Sequence, residues 1–269
     1  MSSLIDKLRR PLGRLKRQLA NETAAKRSFD GEDVFVVTYP RSGTAWILTM
    51  ILDLMVQLNG IETDTKTPAL TALRTWPEKT FSGEIPQELS LPFRLVKSHE
   101  AADITQNRVV YLFRLPEDAL SSYYHFHIKQ GGALRELAES MTPDAFALKF
   151  LPEWCEHVQA AIARKQAAPG AIFMAAYERL HEDAATVLTG ASAFMDLPVT
   201  DRMTKRAASN HTFAKSRATE EEIAGEGHKF YYRKGKVGGA HDDFSAETLA
   251  EIEKIAHPIY QQALDLLDT

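Results

Sequence analysis

The sequence predicts an α/β fold with a mainly parallel central sheet flanked by helices. Past residue 30, short runs rich in β-branched and aromatic residues alternate with longer segments of helical periodicity. This alternation is typical of a parallel sheet that is covered by helices. The chain has 269 residues, of which 44% are hydrophobic and 25% are charged, and these proportions favour one globular domain with a full core.

Four short apolar runs are predicted as the strands of this sheet. Their length and their β-branched and aromatic content favour strands over helices. The runs are Val34–Thr38, residues 93–97, Arg108–Phe113 and residues 171–175.

The helices are predicted from periodicity and from end signals. The pattern over Thr44–Leu58 is helical and is closed by Asn59 and Gly60. A second helix begins at Pro116 and runs to about Lys129, where two glycines follow. Further helices are expected from Thr142, from Pro152, from the end of the last strand through Met195, and from Ser245, which can cap a final helix that kinks at Pro258.

Charge and cysteine content narrow the possible functions. The net charge of -4 gives no general basic field for nucleic acid, so no such partner is expected. The single cysteine, Cys155, excludes an intramolecular disulfide and fits a reducing, cytoplasmic location. The best apolar run, residues 45–56, is interrupted by Asp53 and is too short to span a membrane.

Residues 1–30 are predicted to form a basic amphipathic arm ahead of a single domain over residues 31–269. Residues 1–27 contain eight basic and two acidic residues, and leucines recur at helical spacing from Leu4 to Leu19. Such a helix either makes peripheral contact with an anionic membrane or an acidic partner, or docks its leucines on the domain with its charges in solvent.

The first predicted strand runs into a polar loop, TYPRSGTAW at residues 38–46, that leads directly into a helix. Such a turn directs backbone N–H groups and the positive end of the helix dipole at one place, which favours a phosphate. Gly43 allows close approach of the backbone, and Ser42 and Thr44 offer hydroxyl donors. Arg41 adds a forked positive charge. The Gly-x-x-x-x-Gly-Lys-[Ser/Thr] pattern of nucleotide kinases is absent.

Three more segments follow this loop in order. They are LVKSHE at 95–100, VVYLFRLPEDALSSYYHF at 109–126 and YYRKGKVGGAHDDF at 231–244. The loop resembles TYPKSGTTW, the 5'-phosphosulfate loop of the cytosolic-type sulfotransferases, and the other segments are similar to their Lys-Thr-His strand end, 3'-phosphate segment and C-terminal Arg-Lys-Gly-x-x-Gly loop. The resemblance spans residues 38–244 and implies the P-loop nucleotide-hydrolase-like fold of these enzymes.

The resemblance implies transfer of a sulfonate group from 3'-phosphoadenosine 5'-phosphosulfate (PAPS) to a small-molecule hydroxyl or, less commonly, an amine. The product of the donor would be 3'-phosphoadenosine 5'-phosphate (PAP). The implied donor-binding residues are Arg41, Ser42, Gly43, Thr44 and Ala45 at the 5'-phosphate, Trp46, Tyr177, Thr212 and Phe213 at the adenine, and Arg114, Ser122, Arg233, Lys234 and Gly235 at the 3'-phosphate.

The catalytic roles follow from the chemistry of the residue types. Displacement at sulfur needs a deprotonated acceptor, and His99 is the natural general base because histidine ordinarily titrates near neutral pH. Arg41 and Lys97 would stabilise the charge that develops on the departing phosphate. Fixed cations of this kind make a metal ion unnecessary, so no metal is expected. The histidines at positions 125, 127, 157, 181 and 211 lack ligand-like companions in the sequence.

Three positions depart from the family pattern. Arg41 replaces the usual lysine and cannot donate a proton near neutral pH. Ala45 replaces a threonine, so one hydroxyl contact is lost. Residues 239–241, Gly-Ala-His, stand where the family has Asp-Trp-Lys.

Other interpretations stay open from the sequence alone. Arg114 could pair with Asp118 or Glu117 instead of a phosphate, and Tyr177 could be a core residue. A P-loop kinase or other nucleotide phosphotransferase, and a non-catalytic nucleotide-binding protein, are the competing functions. The chain could be a monomer or a homodimer.

The acceptor is expected to bind against residues 60–91, the second helix and the region of the 140s. Residues 60–91 and 209–244 are too long to be ordinary connections, and such loops usually carry function. An apolar or aromatic acceptor wall is expected from residues Tyr123, Tyr124 and Phe126 and from Leu73, Trp76, Phe81, Leu89 and Phe93.

Overall fold

A computed structural model of the chain describes residues 33–68, 89–106, 108–130, 134–223 and 237–267. At its centre lies a sheet with the strand order β2-β1-β3-β4, in which every neighbouring pair is parallel. The strands are β1 Val34–Thr38, β2 Leu95–Ser98, β3 Arg108–Phe113 and β4 Ile172–Ala176. The predicted α/β class with a parallel central sheet is confirmed.

Two of the strands have the predicted bounds, and two are shifted. β2 starts at Leu95 rather than at residue 93, because its ladder with β1 begins where Leu95 lies opposite Val34. β4 starts one residue late, because Pro169–Ala171 forms a 3-10 turn ahead of it.

Helices cover the sheet, and the first has the predicted bounds. The last helix begins after Ser245, whose Oγ accepts the backbone N–H of Thr248 at 3.2 Å, as predicted. The helices in the described residues are α1 Thr44–Leu58, α2 Pro116–Gln130, α3 Arg135–Glu139, α4 Pro143–Ala167, α5 Tyr177–Glu182, α6 Ala184–Phe194, α7 Asp201–Asn210, α8 Phe213–Ile223 and α9 Ala246–Leu264.

The prediction of separate helices from Thr142 and Pro152 is wrong. Thr142 caps a single long helix, α4, and Pro152 lies inside it. A proline within a helix removes the hydrogen bond to the carbonyl four residues earlier. Here that carbonyl belongs to Leu148, which is exposed, as Pro152 is, so water can replace the lost bond.

Two further helix predictions need correction. The segment from β4 to Met195 forms two helices, α5 and α6, because Asp183 between them is not helical and its carboxylate accepts the N–H of Thr186 at 3.1 Å. The stretch 209–244 is not wholly irregular, since α8 lies within it.

The core lies on both faces of the sheet. Alternate residues of β3 point to opposite sides, so Val110 and Leu112 pack with α1 and α6 while Tyr111 and Phe113 pack with α4 and α9. All four side chains are fully buried. Burial on both faces explains why the strands read as continuous apolar runs.

Several predicted features fall outside the described residues. These are the basic arm, the acceptor-wall residues Leu73, Trp76 and Phe81, and the 3'-phosphate residues Arg233, Lys234 and Gly235.

Candidate nucleotide-binding and catalytic site

The candidate site lies at the carboxyl edge of the sheet. Because the strands are parallel, the segments that leave their C-terminal ends meet at one edge. The loop after β1 meets His99 after β2, Arg114 after β3 and Tyr177 after β4 there. Parallel pairing therefore brings together residues that are far apart in the sequence.

The loop after β1 turns through two left-handed residues. Arg41 has a φ of 69° and Gly43 a φ of 98°. A Cβ atom on Gly43 would lie 2.6 Å from the ring of Tyr177, which no side chain could accept without displacement of that ring. Glycine is required here both by the backbone conformation and by the close approach.

The first turn of α1 adds groups that could bind a phosphate. In any helix the first amides have no partner within the helix, so those of Thr44 and Ala45 face the loop region. The Ser42 hydroxyl is buried and makes no hydrogen bond with the described part of the chain. A buried hydroxyl of this kind needs an acceptor.

His99 is fixed by the end of β1. Its Nδ1 lies 2.9 Å from the carbonyl oxygen of Thr38 and 3.2 Å from the Thr38 hydroxyl. A carbonyl can only accept, so Nδ1 carries the proton and the lone pair of the neutral ring is on Nε2. His99 itself is exposed at the sheet edge. Its basic nitrogen is therefore oriented by the backbone.

Thr38 connects this histidine to the loop. Its hydroxyl lies 2.5 Å from that of Thr44, the first residue of α1. This bridge was not predicted from the sequence, although Thr38 is the first residue of the TYPRSGTAW loop. Lys97, the other predicted catalytic residue on this side, lies half-buried in β2.

Arg114 lies between the loop and the aromatic rings of the site. Its guanidinium donates to the Arg41 carbonyl at 3.2 Å, lies 4.3 Å from the ring centre of Tyr177, and is 3.5 Å from the carboxylate of Asp118. The pairing of Arg114 with Asp118, which the sequence left open, is present. The other contacts hold Arg114 beside the loop after β1.

The side chain of Arg41 extends towards α2. Its Nε donates to Ser122 Oγ at 3.3 Å, and its guanidinium carbon lies 4.8 Å from the ring centre of Phe126. Arg41, Arg114 and Ser122 thus occupy one small region. In this conformation the charge of Arg41 faces the serine that was assigned to the 3'-phosphate.

The residues assigned to the adenine form an aromatic cluster. Trp46 lies edge-on to Tyr177 at 5.7 Å and to Phe213 at 6.1 Å between ring centres. The indole N–H donates to the carbonyl of His211 at 2.5 Å. Thr212 is exposed, and its hydroxyl accepts the N–H of Lys215 at the start of α8.

His181 belongs to the same cluster and was missed from the sequence. Its ring centre lies 4.6 Å from that of Trp46 and 4.7 Å from that of Tyr177. Burial, together with the charge of Arg114, lowers the pKa of His181, so the ring is neutral near pH 7. Its spacing of four residues from Tyr177 on α5 was the available signal.

The C-terminal loop returns to the site through Asp118. Its carboxylate accepts the backbone N–H groups of Gly238 at 2.8 Å and Ala240 at 3.1 Å. The same carboxylate faces Arg114. One buried acid on α2 therefore links the end of this loop to the arginine of the 3'-phosphate segment.

Within the described ranges, no group of three or more histidine, cysteine, aspartate or glutamate side chains is arranged to hold a metal ion. In the same ranges, no helix is both long and apolar enough to cross a membrane.

Comparison with known families agrees with this geometry. The sequence model of the sulfotransferase domain matches residues 31–267. Because the match covers most of the chain, the protein belongs to the sulfotransferase family and is a sulfotransferase enzyme. The resemblance that the four motifs indicated is thereby confirmed.

Individual relatives are distant in sequence. Sulfotransferase 6B1 of Danio rerio is 25% identical over 237 residues, which cover 84% of this chain and 77% of that protein. Sulfotransferase 2B1 of Rattus norvegicus is 26% identical over 200 residues, covering 70% of this chain and 56% of that protein. The match therefore spans little more than half of the rat protein.

Solved structures share the fold. Mouse sulfotransferase SULT7A1 in complex with PAP has a TM-score of 0.60 at 19% identity, and the match covers 93% of this chain and 94% of that one. Retinol dehydratase in complex with retinol and PAP has a TM-score of 0.57 at 19% identity, with 88% and 82% covered. The fold is the sulfotransferase fold.

Proposed function

We propose that the protein transfers a sulfonate group from PAPS to a small-molecule hydroxyl, with amines as the second choice of acceptor. The proposal depends on one observation: the phosphate loop, the rings around Trp46 and the oriented imidazole of His99 meet at a single sheet edge. The PAP bound to the mouse and retinol dehydratase structures supports PAPS as the donor.

The proposed donor site uses separate groups for the base and for each phosphate. The rings of Trp46, Tyr177 and Phe213 would contact the adenine. The loop amides and the buried Ser42 hydroxyl, which needs an acceptor, would bind the 5'-phosphate. Arg114 and Ser122 would bind the 3'-phosphate, with Arg233, Lys234 and Gly235 contributing from the C-terminal loop.

The proposed reaction is an in-line displacement at sulfur. Nε2 of His99 takes the proton of the acceptor hydroxyl, and the acceptor oxygen forms the new bond to sulfur. The bond between sulfur and the bridging oxygen breaks, and its electron pair stays on the 5'-phosphate of PAP. The backbone contact at Nδ1 stabilises the imidazolium that forms, because Nδ1–H points at the Thr38 carbonyl.

Arg41 and Lys97 would stabilise the leaving phosphate by charge. Arg41 keeps its proton near neutral pH, so PAP would leave as an anion that is neutralised electrostatically. The contact with Ser122 implies that the Arg41 side chain moves, or bridges both phosphates, when the donor binds.

The acceptor would bind beside α2, where Tyr123 and Tyr124 lie against Phe146 of α4. Aromatic walls of this kind favour apolar hydroxyl compounds such as phenols, alcohols and sterol-like molecules. The cytoplasm remains the expected location, as predicted from the single cysteine.

Two measurements test this function. Thermal shift with PAP, ATP, and ATP plus Mg²⁺ should show stabilisation by PAP without a metal requirement. Labelled PAPS with a panel of hydroxyl and amine compounds should then give labelled acceptor. Preferential stabilisation by ATP with Mg²⁺ would favour a phosphotransferase, and PAP binding without transfer to any acceptor would favour a non-catalytic nucleotide-binding protein.

A further inference from the structure

A carboxylate is buried in the middle of α1. Asp53 is fully buried and lies seven residues, or about two helical turns, after Trp46. Its neighbours supply four hydrogen-bond donors. These are Gln57 Nε2 at 2.8 Å and Thr63 Oγ1 at 2.5 Å on Oδ1, and His211 Nε2 at 2.7 Å and Asn210 Nδ2 at 3.1 Å on Oδ2.

The arrangement requires an ionised carboxylate. Each of the two carboxylate oxygens accepts two hydrogen bonds. An asparagine at this position would replace one oxygen by an NH₂ group, which would face two hydrogen-bond donors. Burial alone would raise the pKa of Asp53, but the hydrogen bonds from His211 and Thr63 and the charge of His211 outweigh burial and lower it. An ionised carboxylate only accepts, so Nε2 of His211 donates to it.

One branch of this network reaches the candidate adenine site. His211 is held by Oδ2 of Asp53, and its own carbonyl accepts the indole N–H of Trp46. The chain then continues through Thr212 into Phe213, whose ring lies edge-on to Trp46. Asp53 is thus two hydrogen bonds away from a ring assigned to the adenine.

We propose that Asp53 is a positioning residue for adenine recognition. Through His211 it sets the orientation of the Trp46 indole and the start of α8, and hence the ring surface that contacts a purine base. The inference rests on the proposed function, because it assumes an adenine nucleotide as the ligand.

The other branch supplies an internal control. Gln57 donates to Oδ1 of Asp53 and to the carbonyl of Met203 in α7, whereas His211 donates to Oδ2. Its loss removes one donor from the carboxylate and leaves the His211–Trp46 connection in place. If the network serves stability alone, substitutions in the two branches should have similar effects on ligand binding. If Asp53 positions the adenine site, only substitutions in the His211 branch should affect it.

The test compares PAP with 1-deoxyribose 3,5-bisphosphate, which is PAP without its base. Calorimetry gives the dissociation constant of each ligand for the wild type and for Asp53→Asn, His211→Ala, His211→Gln and Gln57→Ala. The wild type should prefer PAP. Asp53→Asn and His211→Ala should reduce that preference about tenfold, the equivalent of about one charge-assisted hydrogen bond, through weaker PAP binding alone.

Two further results are expected. His211→Gln keeps a side-chain N–H donor for Asp53 and should recover most of the preference, and Gln57→Ala should retain it fully. With PAPS, His211→Ala should raise KM and leave kcat nearly unchanged, because the reacting groups are not altered.

Several outcomes overturn the proposal. Equal weakening of both ligands, or an unchanged preference in His211→Ala, would show a purely structural network. If Asp53→Asn does not fold, the difference in PAP preference between His211→Ala and His211→Gln tests the proposal. If the wild type binds PAP no better than the base-free ligand, the adenine site of the proposed function fails instead, and the two failures are thereby distinguished.

Discussion

The two sides of the candidate site are built differently. The adenine side, formed by Trp46, Tyr177, His181 and Phe213, consists of interlocked rings from α1, α5 and α8, of which Trp46 is 5% exposed and Tyr177 4% exposed. The reacting side, formed by Arg41, Lys97 and His99, lies on strand ends and a loop, and its histidine is exposed.

From this difference we expect donor recognition and catalytic turnover to depend on separate residues. Rings that are buried among one another hold their shape before a ligand arrives, so under the proposed function donor recognition would be part of the folded core. The proposed reacting side depends on backbone contacts such as that between His99 and Thr38. Changes on the adenine side should affect donor binding and stability, and changes on the reacting side should affect turnover.

The largest effect is expected for His99→Ala. Loss of the general base should lower kcat by about a hundredfold to ten-thousandfold, because the acceptor proton has no recipient. PAP binding should change little. Steady-state rates with labelled PAPS and calorimetry with PAP measure the two quantities, and the exposed neighbouring variant Glu100→Ala is the matched control. Near-normal turnover in His99→Ala would place the base elsewhere.

Arg114→Ala should weaken PAP binding by about a hundredfold, as expected when a charged contact with phosphate is lost. Binding of adenosine 5'-phosphate, which lacks the 3'-phosphate, should weaken far less. Competition binding with both nucleotides measures the difference. Equal losses for the two ligands would mean that Arg114 acts through Tyr177 and Asp118 rather than on the phosphate.

A pH effect on stability is expected from the buried histidine beneath the reacting side. His157 is hydrogen-bonded to the Tyr111 hydroxyl at 2.8 Å and lies beside the backbone of His99. Burial lowers its pKa to about 4. The unfolded chain therefore binds this proton more tightly, and the folded state should lose on the order of 3 kcal/mol as the pH falls from about 6.5 to 4.

The matching measurement is urea unfolding of the wild type and of His157→Gln across that pH range. The variant should show a flatter dependence of unfolding free energy on pH. His241→Gln, at an exposed histidine, is the control and should follow the wild type. Parallel curves for wild type and His157→Gln would show that the ring does not remain neutral.

The smallest effect is expected for Arg41→Lys. A lysine keeps the positive charge while losing the fork that contacts Ser122 and the face of Phe126. If charge alone stabilises the leaving phosphate, kcat should fall by no more than about tenfold. Arg41→Ala serves as the comparison and should lose much more. Inactivation of both variants to the same degree would mean that the guanidinium geometry is required.

Much of the fold was predictable because its signals are local. The bounds of β1, β3 and α1 follow from short apolar runs, from helical periodicity and from the turn at Asn59. The separate helix expected to start at Pro152 was not found, because tertiary packing of α4 outweighs one lost backbone hydrogen bond on its exposed side.

Contacts within the candidate site could be predicted only for residues that belong to a sequence motif. The rings of Trp46, Tyr177 and Phe213 do meet, as their assignment to one adenine required. The pairing of Asp53 with His211 joins residues 158 positions apart, and no sequence spacing encodes such a contact. The one visible sign was a carboxylate that interrupts an otherwise apolar run in α1.

The separation of donor recognition from turnover is tested most directly by one pair of variants, Trp46→Leu and His99→Ala, with PAP binding and labelled-sulfonate transfer measured on the same preparations. Trp46→Leu should weaken PAP binding and keep most of its kcat at saturating PAPS, whereas His99→Ala should keep PAP binding and lose transfer. Proportional loss of both quantities in both variants would contradict the separation.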